Sequence, residues 1–440
     1  VSLVDKIKNA GVIGAGGAGF PTHAKVSGEA DYVLLNAAEC EPLLRVDQQL
    51  LVLYTDSILY GLDAIARQLQ VKHAIIGIKK KHGDVIDVLR RRIRELRLAI
   101  EIHEMADFYP AGDEQIMVYE LTGRIVPEGG IPIKVGCVVI NVETTLNVNR
   151  SMEDMSVTDS FVTVSGDVPH PLTMKVPVGT PMKEVVAKAG ITDLDGYAVI
   201  DGGPMMGRVL KDMDATVMKK TKGYIVLRTE HPLIVKKTAT DRTAFLEGRS
   251  ACEQCRMCTD LCPRHLIGHN LNPHKIMRAV KYNLARLEEL TQANLCSQCG
   301  ICTLFSCPAH LKPHQINFMI KQQLGANKLR YTPLTEAYHA SAARDYRRLP
   351  VKRLIRHLGL YAFDKPAPMT DVTFASPEVR ISLHQHVGAP AVAVVAAGDV
   401  VIKGQLIADV PEGTLGAAVH ASVNGMVASI TDQEITIKVG

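Results

Sequence analysis

Eight of the ten cysteines fall into two tight runs. The first is Cys252-Glu-Gln-Cys255-Arg-Met-Cys258-Thr-Asp-Leu-Cys262-Pro263, and the second is Cys296-Ser-Gln-Cys299-Gly-Ile-Cys302-Thr-Leu-Phe-Ser-Cys307-Pro308. Two-residue gaps let one loop wrap an iron–sulfur cube and offer it three thiolates. C-x2-C-x2-C-x3-C-P is the spacing of bacterial proteins with two [4Fe–4S] clusters, in which the distal cysteine reaches the other cube. Ligation is therefore expected to be crossed. Cys252, Cys255, Cys258 and Cys307 would hold one cluster, and Cys296, Cys299, Cys302 and Cys262 the other. The second run carries one extra residue before its last cysteine, and a proline ends each loop. Zinc also takes C-x2-C pairs, but as two pairs around one ion rather than three thiols at consecutive gaps. Disulfide scaffolds are short secreted chains, unlike this one of 440 residues. Two clusters in one small module make it a wire for electrons. Cys40 and Cys137 stand alone and read as small buried hydrophobes.

The second signal is Gly11-Val-Ile-Gly14-Ala-Gly16-Gly17-Ala-Gly19-Phe20-Pro21-Thr22. Backbone amides exposed in such a loop can cradle a phosphate. No strand is expected before Gly11, so this is not the strand–glycines–helix dinucleotide fingerprint, and a plain tight turn is an equal reading. Lys25 follows as a candidate phosphate or ring contact. Asn36-Ala-Ala-Glu39-Cys40-Glu41-Pro42 and Asn141-Val-Glu143-Thr144 follow short apolar runs, where an open α/β sheet binds its ligands. Each acid alone reads as a solvated loop residue or a helix cap; their recurrence at one edge favours a pocket.

The elements that must carry these residues divide the chain into several domains, as its length requires. Residues 1–157 alternate strand-like runs (Tyr32–Asn36, Ala74–Ile78, Cys137–Val142) with helical stretches (Val46–Leu69, Asp84–Leu96), which implies a doubly wound sheet. Residues 158–235 read as a hairpin, a short helix ending at Gly190 and further strands, a small β-grasp module. Residues 245–330 hold the cysteines and helical connectors. Residues 331–375, rich in Arg344, Arg347, Arg348, Lys352, Arg353 and Arg356, read as a linker with one short helix and a solvated basic surface. Residues 376–440 are short β runs broken by glycine. The net charge of +4 implies no broad nucleic-acid footprint, and no run of 18 apolar residues exists to span a membrane.

Four segments together carry a resemblance. They are Gly16-Gly17-Ala18-Gly19-Phe20-Pro21-Thr22, Asn36 to Pro42, Tyr109-Pro-Ala-Gly112-Asp113-Glu114 and Asn141-Val-Glu143-Thr144. The chain resembles the family of the FMN- and NADH-binding subunit of respiratory complex I and the C subunit of ion-pumping ferredoxin:NAD oxidoreductases. It is most similar to that family's cobalamin-reductase branch from propanediol-utilisation microcompartments, over essentially the whole chain. In the pump subunit the small β module precedes the flavin domain and the second cysteine run has three residues before its last cysteine. Here the module is C-terminal and the run has four.

The resemblance implies a multidomain α/β protein. It would comprise a Rossmann-like FMN domain, a β-grasp (SLBB) domain, a two-cluster ferredoxin-like helical domain and a C-terminal barrel-sandwich hybrid. It implies FMN held by Gly14, Gly16, Gly17, Lys25, Asn36, Glu39, Tyr109, Gly112, Glu114, Asn141 and Thr144, with NADH over the flavin face near Phe20 and Glu41. Ala111 and Asp113 depart from the Cys-Gly-Glu-Glu of complex I, which weakens the nicotinamide contacts there. The last module resembles a biotinyl or lipoyl carrier, but its hairpin Val423-Asn-Gly425-Met426-Val427 lacks the lysine, so no covalent biotin or lipoate is expected.

NADH gives two electrons at once and a cube passes one, so a flavin would stand between them, with no acid–base dyad or activated nucleophile. The implied acceptor is a corrinoid, reduced from cob(III)alamin or cob(II)alamin towards cob(I)alamin for coenzyme B12 recycling. A cobalamin adenosyltransferase and shell proteins are implied partners, in the cytoplasm inside a microcompartment. His265, His269 and His274 follow the first run and read as helix-surface residues. Two alternatives are a C subunit of an ion pump and a noncatalytic electron-conducting docking protein.

Overall fold

The computed structural model describes residues 1–440. The first domain begins with α1 (Leu3–Asn9), capped by Ser2, and α2 (Thr22–Lys25), with the glycine loop between them. Next come β1 (Tyr32–Ala37), α3 (Val46–Leu53), α4 (Thr55–Gln68), β2 (His73–Lys79), α5 (Gly83–Glu95), β3 (Ile100–Met105), β4 (Phe108–Tyr109), α6 (Glu114–Thr122), β5 (Cys137–Asn141) and α7 (Val142–Met152). Four strands form a parallel sheet in the order β3-β2-β1-β5. Both faces are covered, which is why these strands read as unbroken apolar runs. Val33, Leu35, Ile76, Ile78, Val138 and Ile140 pack under α4, α5 and α7. Leu34, Ile75, Val139 and Cys137 pack against α6 on the other face. The helical stretch 46–69 is two helices: Tyr54 leaves helical geometry, and the Thr55 hydroxyl donates to the Leu51 carbonyl across the break.

The second domain is a five-stranded sheet. It is built from β6 (Asp159–Gly166), β7 (Leu172–Pro177), α8 (Met182–Ala187), β8 (Tyr197–Asp201), β9 (Arg208–Val209) and β10 (Gly223–Arg228), in the order β7-β6-β10-β8-β9. Here β6 and β10 are parallel and the other pairs antiparallel. Helix α9 (Pro232–Lys237) leads to the cysteine-bearing domain. That domain holds α10 (Asp241–Ala251), α11 (Met257–Asp260), α12 (Pro263–Leu266), α13 (Pro273–Lys281), α14 (Leu287–Leu290) and α15 (Pro313–Ala326). Pro263 opens α12 at its first position, where the missing N–H costs nothing. The last domain packs two small sheets, residues 378–382, 400–401, 425–430 and 434–439 in one and 392–393, 406–409 and 419–420 in the other. No helix is long and apolar enough to cross a membrane.

Residues 331–375 are more than the expected linker. They form α16 (Arg344–Arg347), β11 (Leu349–Pro350), which pairs antiparallel with β4, and α17 (Val351–His357). Leu349, Leu354, Ile355, Leu358 and Leu360 are buried in one core with Cys40, Tyr109, Leu227 and Cys299. Three domains and this segment thus share one hydrophobic centre. Arg344, expected in a solvated basic stretch, is buried: it pairs with Glu120 and lies 4.8 Å over the Tyr119 ring. The short apolar spacing of 349–360 is masked in sequence by the cations that alternate with it.

Candidate functional site

The glycine loop runs without secondary structure from α1 to α2. It is closed by the Gly14 amide on the Phe20 carbonyl at 2.9 Å and pinned by the Ala15 amide on the Thr144 hydroxyl at 2.9 Å. Its crest, Gly16 to Ala18, is exposed, and Phe20 beside it is 38% exposed. Gly16 has φ +78°, and a Cβ there would lie 2.8 Å from the Lys222 stem, so only glycine fits. A Cβ on Gly17 would meet nothing within 4 Å, which leaves open space above free amides. Across this opening Lys25 pairs with Glu114 at 2.6 Å. Asn36, at the end of β1, donates to the Gly112 carbonyl at 2.8 Å and accepts from the Ala38 amide. Gly112 faces Ala38, Cys40 and Asn36 so closely that a Cβ would stand 3.4–3.5 Å from each. Glu39 accepts from the Glu41 amide, and its carboxyl is pushed up to about 7 by burial and by Asp47. Asn141 caps α7 through the Glu143 amide and donates to Asp47 at 3.0 Å. Open amides, a lysine and an amide-lined strand edge are a donor set that fits a flavin nucleotide.

Two predicted contacts also tie the first domain to its neighbours. Glu41 is expected near NADH, yet its carboxylate accepts from the amides of Met205 and Met206, both at 2.8 Å, in the β8–β9 turn. Gly203 in that turn has no room for a Cβ, which would stand 2.1 Å from the Glu41 carboxylate. Glu41 is thus a latch between the first and second domains. Tyr109 is expected on the flavin; its hydroxyl donates to the Cys299 carbonyl at 2.7 Å, deep in the shared core. Asp113, the shortened acid, caps α6 through the amides of Gln115 and Ile116 and pairs with Arg264 at 2.8 Å. A shorter side chain is the better N-cap, which is the physical reason for aspartate here.

The sequence reading missed the residue under the glycine loop. Lys222, from the strand-entry of β10, reaches into the first domain and pairs with Glu143 at 2.6 Å and Asp47 at 3.1 Å, all three nearly inaccessible. Burial alone would lower the lysine's pKa; Asp47 and Glu143 outweigh it and keep the ammonium charged. Lys219, three residues earlier, donates to the carbonyls of Gly11 and Ala418 at 2.8 and 2.7 Å, tying the loop to the C-terminal domain. Neither lysine carries a motif. The only signal is a basic cluster, Lys219-Lys220-Thr-Lys222, before a strand, and burial is not legible in such a cluster.

The two cysteine runs fold alike. Gln254 and Arg256 flank Cys255 at φ +55° and +67°, and Gln298 and Gly300 flank Cys299 at φ +62° and +80°. Left-handed backbone at a residue with a Cβ costs about 1–2 kcal/mol, so three such residues mark loops held for a purpose. Cys262, Cys296, Cys299 and Cys302 line one cavity together with Cys258, Leu271, His314 and Asn317. Three of these five cysteines come from the second run, and Cys258 and Cys262 from the first. Burial pushes the Cys262 thiol up to about 12, and Cys296 is its strongest sulfur neighbour. Burial likewise pushes Cys258 up to about 12, with Cys252, Cys255, Cys262 and Cys307 around it. So many mutually repelling buried thiols become thiolates only if a cationic group enters. Nowhere do three His, Cys, Asp or Glu side chains converge as one metal ion needs; the sulfurs stand around a wider space. Gln254 donates to the Cys252 sulfur at 3.1 Å, whereas the equivalent amide of Gln298 is buried without a partner. The donor set fits two iron–sulfur cubes. Cys255 alone among the eight is exposed.

The three histidines are less exposed than helix-surface residues would be. His269 is buried on the Val126 carbonyl at 2.8 Å, His274 bonds Thr259 at 2.7 Å, and His265 is half-buried. Burial lowers the pKa of all three. Cys40 and Cys137 are buried core members as read.

Comparison with known proteins agrees with this arrangement. Residues 7–150 match the Nuo51 FMN-binding domain, 161–209 the SLBB domain, 251–312 the 4Fe-4S dicluster domain and 366–439 the RnfC barrel sandwich hybrid domain. The cobalamin reductase PduS of Citrobacter freundii is 43% identical over 99% of this chain and 96% of its own length, and that of Salmonella typhimurium is 43% identical over 98% and 95%. The C subunit of the Na(+)-translocating ferredoxin:NAD(+) oxidoreductase complex of Acetobacterium woodii is 33% identical over 59% of this chain and 57% of its own. Among solved structures, an NAD+-reducing [NiFe]-hydrogenase in the H2-reduced state superposes with a TM-score of 0.51 over 74% of this chain and 62% of that one, at 24% identity, a likeness of fold.

Proposed function

This chain belongs to the family of the cobalamin reductase PduS proteins, and from that membership we propose that it passes electrons from NADH through FMN and two [4Fe–4S] clusters to a cobalamin, taking cob(III)alamin or cob(II)alamin towards cob(I)alamin. FMN, when bound, accepts a hydride and releases electrons singly, which joins a two-electron donor to one-electron clusters. The residues that would hold it are Gly14, Gly16 and Gly17 with Lys25 at the phosphate end, and Asn36, Glu39, Gly112, Glu114, Asn141 and Thr144 around the ring and ribityl chain. Cys252, Cys255, Cys258 and Cys307 would hold one cluster, and Cys262, Cys296, Cys299 and Cys302 the other.

One observation carries the reading. The loop 108–113 bounds the nucleotide opening through Gly112, reaches the second cysteine loop through the Tyr109 hydroxyl on the Cys299 carbonyl, and pairs Asp113 with Arg264, two residues after Cys262. That supports the cavity of Cys262, Cys296, Cys299 and Cys302 as the cluster nearer the flavin and the cluster of exposed Cys255 as the farther one. Activity inside a microcompartment, beside a cobalamin adenosyltransferase and shell proteins, rests on the resemblance of the motifs. The pump-subunit alternative is supported over little more than half the chain.

The test is anaerobic purification with iron and flavin analysis, then NADH against aquocobalamin. The expected result is one FMN and about eight irons per chain, as two cubes require, with NADH-dependent corrinoid reduction. A fully loaded chain that leaves aquocobalamin oxidised would remove the named reaction.

A further inference from the structure

The two cysteine runs repeat one another beyond their cysteines. Each ends on Cys-Pro, then one variable position, then histidine: Cys262-Pro263-Arg264-His265 in the first and Cys307-Pro308-Ala309-His310 in the second. The variable position is where they part. Ala309 is exposed and carries no charge. Arg264 is a cation only 9% exposed. With the crossed ligation proposed above, Arg264 follows a ligand of the cluster of Cys262, Cys296, Cys299 and Cys302, and Ala309 follows a ligand of the other.

A buried guanidinium is costly and calls for negative partners. Arg264 has one carboxylate, Asp113, on its Nη2 at 2.8 Å, and its buried Nε–H has no partner. The Arg264 charge acts on the Cys262 sulfur, and the Asp113 charge acts on the Cys299 sulfur. Both sulfurs line the same cavity, so both charges of the pair bear on one cluster site. Four thiolates around a cube make that site net negative, and reduction adds one more negative charge to it. A cation beside it therefore stabilises the reduced form more than the oxidised one, and an anion does the reverse. The low dielectric that makes the arginine costly to bury also lets its charge act; at the exposed position of Ala309 the same charge would be screened.

We propose that Arg264 acts through the Cys262 sulfur to raise the reduction potential of the cluster of Cys262, Cys296, Cys299 and Cys302, with Asp113 as the opposing charge, while the other cluster has no counterpart. This deepens the function proposed above and rests on it for the two clusters. Each cube takes one electron, and no atom is transferred. The cluster nearer the nucleotide is thereby the readier acceptor of single electrons.

The test is a mediated dithionite titration of the full chain loaded with FMN and clusters, followed by EPR. Cys299→Ser marks which signal belongs to the cavity of Cys262. Arg264→Gln keeps the side chain's length and loses its charge. It should move that one signal to a more negative midpoint, by about tenfold in the equilibrium constant, which is about 59 mV for a one-electron step, and leave the other signal in place. Arg264→Lys restores a charge and should recover most of the shift. Asp113→Asn removes the opposing charge while asparagine still caps α6, and it should move the same signal to a more positive midpoint. Opposite signs are the signature of charge, because a merely structural tie broken from either side disturbs the cluster in one direction. Should Arg264→Gln fail to load its iron, the sign of the Asp113→Asn shift decides alone. Unmoved midpoints, equal movement of both signals, or shifts of one sign from the two variants would overturn the proposal. Clusters that titrate as expected with dithionite yet stay oxidised with NADH would uphold the role of Arg264 and sink the electron-conduit reading instead.

Discussion

Replacing Lys222 by methionine tests whether the second domain holds the nucleotide loop in place. The lysine ammonium lies 2.6 Å from Glu143 and 3.1 Å from Asp47, with side-chain exposures of 5%, 1% and 3%. Methionine fills much the same volume, so packing is kept and the loss is electrostatic. Removing one partner of a buried ionic group strands the others, at about 3–5 kcal/mol. The deficit has a pH signature. Burial already raises the Glu143 carboxyl above its ordinary 4.5 with Lys222 present, and losing the cation raises it further. A carboxyl with a raised folded pKa stabilises the native state below its unfolded pKa and loses that contribution as pH rises through the folded pKa. The variant should therefore be weakest at alkaline pH and recover on acidification, by up to about 1.4 kcal/mol per pH unit.

Urea unfolding at acid and alkaline pH, read by circular dichroism, measures the deficit. Flavin fluorescence on dilution measures FMN release, which should quicken because the carboxylates of Asp47 and Glu143, stranded beneath the glycine loop, loosen its seat. Lys222→Met combined with Asp47→Asn and Glu143→Gln removes every stranded charge and should restore most of the stability. A single variant within about 1 kcal/mol of the parent at alkaline pH, or a deficit that stays constant on acidification, would refute the reasoning.

Cys262→Ser should perturb the same cluster EPR signal as Cys299→Ser, and Cys307→Ser the same signal as Cys255→Ser; a pairing of Cys262 with Cys255 would refute crossed ligation. Tyr109→Phe leaves the buried Cys299 carbonyl unpaired and should cost about 1–3 kcal/mol; in stopped flow, cluster reduction by NADH should slow while flavin reduction keeps its rate. Lys219 is pushed down to about 7 by burial, against an ordinary 10.5. Its neutral amine still satisfies both carbonyls with its two N–H groups. Between about pH 7 and 10.5 the unfolded chain binds a proton that the native chain lacks, so stability should climb by up to about 1.4 kcal/mol per pH unit; Lys219→Met should flatten that limb of a urea–pH series.

What the sequence made legible was what one element decides alone. The strands at 32–37, 73–79 and 137–141 are apolar because both sheet faces are covered. The cysteine runs announce their chemistry because three thiols at two-residue gaps serve one cube. The strand Ile100–Met105 escaped notice because it is an edge strand interrupted by polar residues, exposed at Glu101, His103 and Glu104. Interfaces were the other blind spot. Glu41 and its amide partners lie 164 and 165 residues apart, and Lys222 stands 79 residues from Glu143. An acid at a strand end looks the same in sequence whether it faces a cofactor or another domain. Residues 349–360 alternate cations with leucines, and only the packed core shows that the leucines decide.

These interfaces answer a demand of the chemistry. Electron transfer between centres falls steeply with separation, so nucleotide and nearer cluster must be fixed relative to each other, although one lies on an α/β sheet and the other between helices. A flexible tether between the domains would leave that separation to chance. The chain instead ties one short segment, 108–113, to both the second cysteine loop and the end of β1. Tyr109 fixes the cluster side through Cys299, Gly112 the nucleotide side through Asn36, and Asp113 joins them through Arg264. Strand β11 then pairs with β4 at the root of that loop, and Glu41 anchors the neighbouring strand end to the second domain. Each tie alone is worth about 1–3 kcal/mol, too little to hold two domains, but all of them converge on one buried core and are lost only together. The separation between nucleotide and cluster is therefore set by the same cooperative packing that sets the fold.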